Sequence, residues 1–105
     1  MDIIILPDKG VSETIPVTVI FSDRLQSGET VNGASVTASV FAGTDASPSS
    51  ILSGSATYTA NSVTQNITAG TAGVIYTLVF IATGSASHNY GKIARLAVVS
   101  DSNPY

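Results

Sequence analysis

Small and β-branched residues alternate with polar ones along this chain at a period of two, and no window carries an apolar stripe at helical spacing. Successive side chains of a strand point to opposite faces, so the pattern predicts strands with one covered side. Residues 34–42 show it most cleanly. Ala34, Val36, Ala38, Val40 and Ala42 fall on one face; Ser35, Thr37, Ser39 and Phe41 fall on the other. Residues 14–22 predict a strand with Ile15, Val17, Val19 and Phe21 together. Pro16 confines that strand to an edge or to its own start, because proline offers no ladder N–H. Residues 55–60 and 63–68 read as two short strands joined tightly at Asn61-Ser62. Residues 74–83 form the most hydrophobic strand, hence a central one, and residues 92–100 a last strand.

Turn chemistry separates these runs. Residues 22–29 are polar with Gly28 as the turn residue, residues 43–50 combine Gly, Asp, Pro and Ser, and residues 69–73 and 84–89 are small and polar. Ile51 and Leu52 are expected to return to the core. The apolar start, with Ile3, Ile4, Ile5 and Leu6, is cut off by Pro7-Asp8-Lys9-Gly10 and reads as an arm or an edge strand. The expected division is therefore an arm or edge strand over 1–10, a sandwich over 11–100 and a tail over 101–105.

Six to eight short strands in 105 residues, with turn signals every 8–12 residues or so, predict an all-β fold. The specific expectation is an immunoglobulin-like antiparallel β-sandwich, with a small jelly roll or open barrel as the competing architecture. Gly73-Val74-Ile75-Tyr76 places a tyrosine just after a glycine turn, at the entry to the central strand. A sandwich puts its tyrosine corner there; the plainer reading is a half-buried strand tyrosine.

Composition narrows the function. Only 10% of residues are charged against 44% hydrophobic, where an average soluble protein carries about 25% charge. Ser and Thr replace charge on the polar faces, which suits lasting contact with other subunits. The net charge is −3, and Lys9, Arg24, Lys92 and Arg95 are too scattered to track phosphates, so neither nucleic acid nor an anionic membrane is an expected partner. The apolar start is too short for a signal peptide, and no stretch approaches the roughly 20 residues of a spanning helix. There is no cysteine, which excludes disulfides and thiolate metal sites. The tripeptide Asn66-Ile67-Thr68 is a formal glycosylation sequon, discounted without an export signal.

Catalytic chemistry finds little support. His88, the single histidine, sits in a polar loop, and no Gly-x-Ser-x-Gly elbow presents a nucleophile to it. The acids are dispersed, with neither a calcium-loop spacing nor a close carboxylate pair. Asp23-Arg24 reads as a local turn contact or a bidentate pair for a partner. No cofactor, metal site or enzymatic activity is expected. Exposed tyrosines could stack on sugars, with Tyr58, Tyr90 and Tyr105 available, although Tyr58 is rather expected to pack across its hairpin.

Several runs resemble small virion proteins of tailed bacteriophages, of the kind described as fibre–tail adaptors. They are Phe21-Ser22-Asp23-Arg24-Leu25, Ser27-Gly28-Glu29-Thr30, Ala34-Ser35-Val36-Thr37, residues 43–48, Ile51-Leu52-Ser53-Gly54 and residues 73–80, together spanning residues 14–83. The resemblance implies an immunoglobulin-like domain that docks on the tail or neck and holds a fibre. It supplies no functional side chains, because none of the matched positions does chemistry.

The expected function is that of a virion structural protein, made in the host bacterial cytoplasm and acting by protein–protein docking. Its partners would be tail, neck, fibre or capsid subunits, with the protein itself a homo-oligomer in the particle. The alternatives are a capsid decoration protein and, from another class, a carbohydrate-binding module. Candidate interface residues are Ile3, Ile4, Ile5, Leu6, Tyr90 and Tyr105; Tyr76 and Gly73 are candidate structural residues.

Overall fold

The computed structural model describes residues 3–100, which form two packed β-sheets. In chain order the strands are β1 (Ile3–Ile5), β2 (Lys9–Gly10), β3 (Ile15–Ile20), β4 (Val31–Ala42), β5 (Leu52–Tyr58), β6 (Ser62–Ile67), β7 (Ile75–Gly84) and β8 (Asn89–Val99). A 3-10 turn, Pro48–Ile51, precedes β5. The larger sheet runs β1-β8-β7-β4, with β2 also on β8, and the smaller runs β3-β6-β5. This is the strand order of an immunoglobulin-like sandwich whose first strand has moved to the sheet of the last.

The period-two pattern builds the core directly. On β7, Tyr76, Leu78, Phe80 and Ala82 are buried, while Ile75, Thr77, Val79 and Ile81 between them are half-buried on the opposite face. Val17 and Val19 from β3, Val63 and Ile67 from β6, and Ala94, Leu96 and Val98 from β8 close the same core. Each large side chain so buried stabilises by about 1.5–3 kcal/mol. The inward residues of β4 (Ala34, Val36, Ala38 and Val40) are only half-covered, since β4 is an edge.

One feature of the sandwich departs from the antiparallel expectation: β1 and β2 both run parallel to β8, with Ile3 beside Ile93 and Lys9 beside Val98. A period-two pattern marks faces and is blind to strand direction. Residues 3–10 are thus an edge of the chain's own sheet, interrupted over residues 6–8.

Boundaries also shift. β4 begins at Val31, with irregular register at Asn32 and at Phe41. The hairpin turn lies one residue earlier than expected, at Ala60-Asn61, where the Thr59 N–H donates to the Ser62 carbonyl at 3.0 Å. β5 begins at Leu52 and slips register between Ser53 and Thr57. Gln65 fills that slip: its Nε2 donates to the carbonyls of Ser53, Gly54 and Asn66 at 3.0–3.2 Å. The last strand starts at Asn89, so the preceding loop is short.

Polar side chains pin each end of the sandwich. At the end where β7 begins, the Tyr76 hydroxyl donates to Asp45 Oδ2 at 2.6 Å and accepts from the Thr71 N–H at 2.9 Å. The Tyr76 hydroxyl and the Ser47 N–H hold the Asp45 carboxyl below its ordinary range. Burial, then the bond to Asp45, pushes the Tyr76 phenol up. Gly73, at φ +87, lets the chain turn into β7 while its N–H donates to the Val98 carbonyl. Tyr76→Phe removes one hydroxyl and leaves a carboxylate and an amide without it. The expected loss is about 2 kcal/mol, read by chemical denaturation, with no change in fold by circular dichroism.

Candidate functional site

The outward surfaces of the two sheets differ in kind. On the smaller sheet, Thr18, Thr64 and Thr57 lie in one row across three strands, and the Thr18 and Thr64 hydroxyls bond at 2.8 Å. Thr14 and Thr68 bond similarly at 2.9 Å, and Ile20 (50% exposed) stands at the end of this polar face. Such a surface is well served by water.

The larger sheet shows the reverse. Cross-strand register puts Ile3, Ile93, Val79 and Thr37 in one outward row, and Ile5, Arg95, Thr77 and Ser39 in the next. Ala97 and Ile75 continue the pattern toward Phe41. Ile5 is 73% exposed, Phe41 53% and Ile3 39%. β7 is therefore apolar on both sides, as expected of a strand covered on both faces. Exposed apolar patches are a feature that interaction surfaces share.

Arg95 lies in the middle of this face. Its guanidinium carbon sits 3.7 Å from the centre of the Phe41 ring, and the register irregularity at Phe41 accompanies that diagonal contact. Ile5, Leu6, Asp8, Phe41, Ile75, Arg95 and Ala97 line a shallow groove of about 240 Å³.

The candidates read from sequence fall unevenly on this surface. Ile3 and Ile5 point outward on it, while Ile4 and Leu6 pack against the core. Tyr90 turns inward on β8, and its hydroxyl donates to Glu29 Oε1 at 2.7 Å. Arg24 lies over its ring at 5.8 Å, so Tyr90 is a poor platform for a sugar, and Tyr58 is left as an isolated exposed ring. Tyr105 and the tail lie outside the described residues. Asp23 does not pair with its neighbour Arg24: Lys92, at 2.6 Å, donates to it and lowers its pKa. Sequence reading missed Phe41, Val79, Ile93 and Arg95. The available signal was apolar residues at both parities along residues 74–83.

The other cluster of titratable groups surrounds Glu29, whose side chain is 2% exposed. Its carboxylate accepts from the Gln26 and Ala86 N–H groups as well as from Tyr90, and His88 Nδ1 stands 3.6 Å away. The Gln26 amide, then the Tyr90 hydroxyl, hold the Glu29 pKa below its ordinary value. Reciprocally, the bond to Glu29 raises that of Tyr90. The acceptor sites are occupied by donors of the chain's own loops, which makes the cluster an anchor. Among the described residues no group of three or more His, Asp and Glu is arranged to hold a metal ion.

A family model described as podophage GP4 fiber-tail adaptor protein gp77 matches residues 9–91, most of the chain. No curated protein and no solved structure matches. The matched span ends before Ile93 and Arg95.

Proposed function

The chain belongs to the podophage fibre–tail adaptor family, and from that premise we propose that it joins fibre to tail by docking through the outer face of its larger sheet. The family makes it a structural component of the phage tail and is not an enzyme class. One observation carries the choice of surface: the contrast between the aliphatic outer face of β1, β8 and β7 and the threonine rows on the other sheet. Apolar area removed from water stabilises a joint by about 25 cal/mol per Å², and a rim of polar strands around it keeps solvent out.

The partners on this reading are other tail and fibre proteins of the virion, with synthesis in the host cytoplasm. A homo-oligomer would form most simply along β4, the other edge of the larger sheet. Residues 33–40 there carry no charge and no proline, the usual guards of an open edge. The family match favours the adaptor role over capsid decoration, and copy number per particle separates the two.

Val79→Lys tests the surface. It places a charge in the centre of the aliphatic face while leaving the core side of β7 untouched. Affinity for particles assembled without this protein should fall at least thirtyfold. Thr64→Lys, on the opposite sheet, should bind normally. Normal binding by Val79→Lys would place the joint elsewhere.

A further inference from the structure

Resting on that docking surface, we propose that Arg95 reads the partner: its guanidinium receives a carboxylate carried by an otherwise apolar segment of the neighbouring virion protein. Arg95 is the one charged side chain among the outward positions of β1, β4, β7 and β8. Lys92, the other cation on β8, lies in the inward register and bonds to the Ile20 carbonyl and Asp23.

Among the described residues the arginine has no acceptor. The guanidinium carbon lies 3.7 Å from the centre of the Phe41 ring, a contact that restricts the side chain's freedom. Its Nε is buried with no hydrogen-bond partner. Among the described residues no carboxylate pairs with it; Asp8 lines the same groove without reaching it. An Nε shut off from solvent is closed to an incoming group as well, so the carboxylate would meet the terminal N–H groups, whose fork takes it with two parallel bonds. The surrounding aliphatics, Ile5 above all, would then exclude water from the pair, which is where such a contact contributes most.

The test measures binding of purified variants to particles assembled without this protein. Thermal melts come first, to show that each variant is folded. Arg95→Gln keeps a polar stem beside Phe41 and serves if Arg95→Glu fails to fold. Arg95→Gln should weaken binding about a hundredfold and Arg95→Glu more, because truncating one member of a buried interfacial pair leaves the other uncompensated. Arg95→Lys should recover only part of the loss, remaining about tenfold weak, since an ammonium cannot reproduce the fork. Wild-type binding by folded Arg95→Gln or Arg95→Glu, with Val79→Lys still defective, would overturn carboxylate recognition and leave the docking surface standing. Wild-type binding by Val79→Lys as well would bring down the surface itself.

Discussion

Lys9→Ala is expected to lower the stability of the domain by about 4 kcal/mol, a large share of the roughly 5–15 kcal/mol that holds a domain of this size. Lys9 is fully buried. Its Nζ donates to the carbonyls of Gly10 and Ala69 at 2.7 Å and of Val11 at 3.3 Å. Through Ala69 it fastens the loop between β6 and β7 to the first strands. That loop is under local strain: Ala69 sits at φ 52, and Gly70 at φ 99 packs so closely on Val98 that a Cβ would collide with it. Alanine leaves a cavity the length of three methylenes and an ammonium and strands buried carbonyls. Relaxation of Ala69 returns a little of the loss. The midpoint of thermal unfolding should drop by roughly 15–25 °C. Lys9→Met, which refills the volume without the donor, should recover about half of it. If Lys9→Ala melts within about 5 °C of wild type, Lys9 is no anchor.

That a lysine anchors the sandwich shows where sequence reading stops. Alternation along 14–22 and 34–42 located inward faces, because the inward set of a strand is fixed by parity alone, and the apolar run of 74–83 marked the central strand. Parity gives no sense of direction, so the parallel pairing of β1 and β2 with β8 was out of reach. Gln65 occupies an inward position because a register slip in β5 gives it two carbonyls beside that of Asn66 in its own strand, and nothing local announces a slip. Lys9 and Glu29 read as turn residues, since their burial depends on loops brought from 60 and 57 residues away. The proposed docking face was half legible. Ile3, Ile4, Ile5 and Leu6 stood out together as an apolar arm or edge strand, but that Ile3 and Ile5 alone face outward, continuous with Ile93 and Val79, appears only once β1, β8 and β7 are set side by side. Arg95 looked like one of four scattered cations until the register placed it alone among aliphatic neighbours.

Gly84→Ala is the second large effect and acts at the opposite end of the fold. A methyl at Gly84 would overlap the Glu29 carboxylate and crowd its Cγ, 3.2 Å away. Glu29 cannot move aside freely, because Gln26, Ala86 and Tyr90 all donate to it. The substitution is expected to cost about 3 kcal/mol, the upper end of the range for overpacking. Its signature is pH dependence. The pKa of Glu29 is lowered in the fold, so its contribution is complete above the ordinary carboxylate pKa of about 4.3 and is lost as pH falls through the folded value. A displaced Glu29 has less to lose on acidification. The gap in melting temperature between wild type and Gly84→Ala should therefore be widest near neutrality and narrow below about pH 4. In a Glu29→Ala background the glycine substitution should add almost nothing, since the group it strikes is gone. A gap that keeps its width across this range, or full additivity in the double variant, would mean that the methyl acts on the backbone of β7 and not through the carboxylate that ties the loops together.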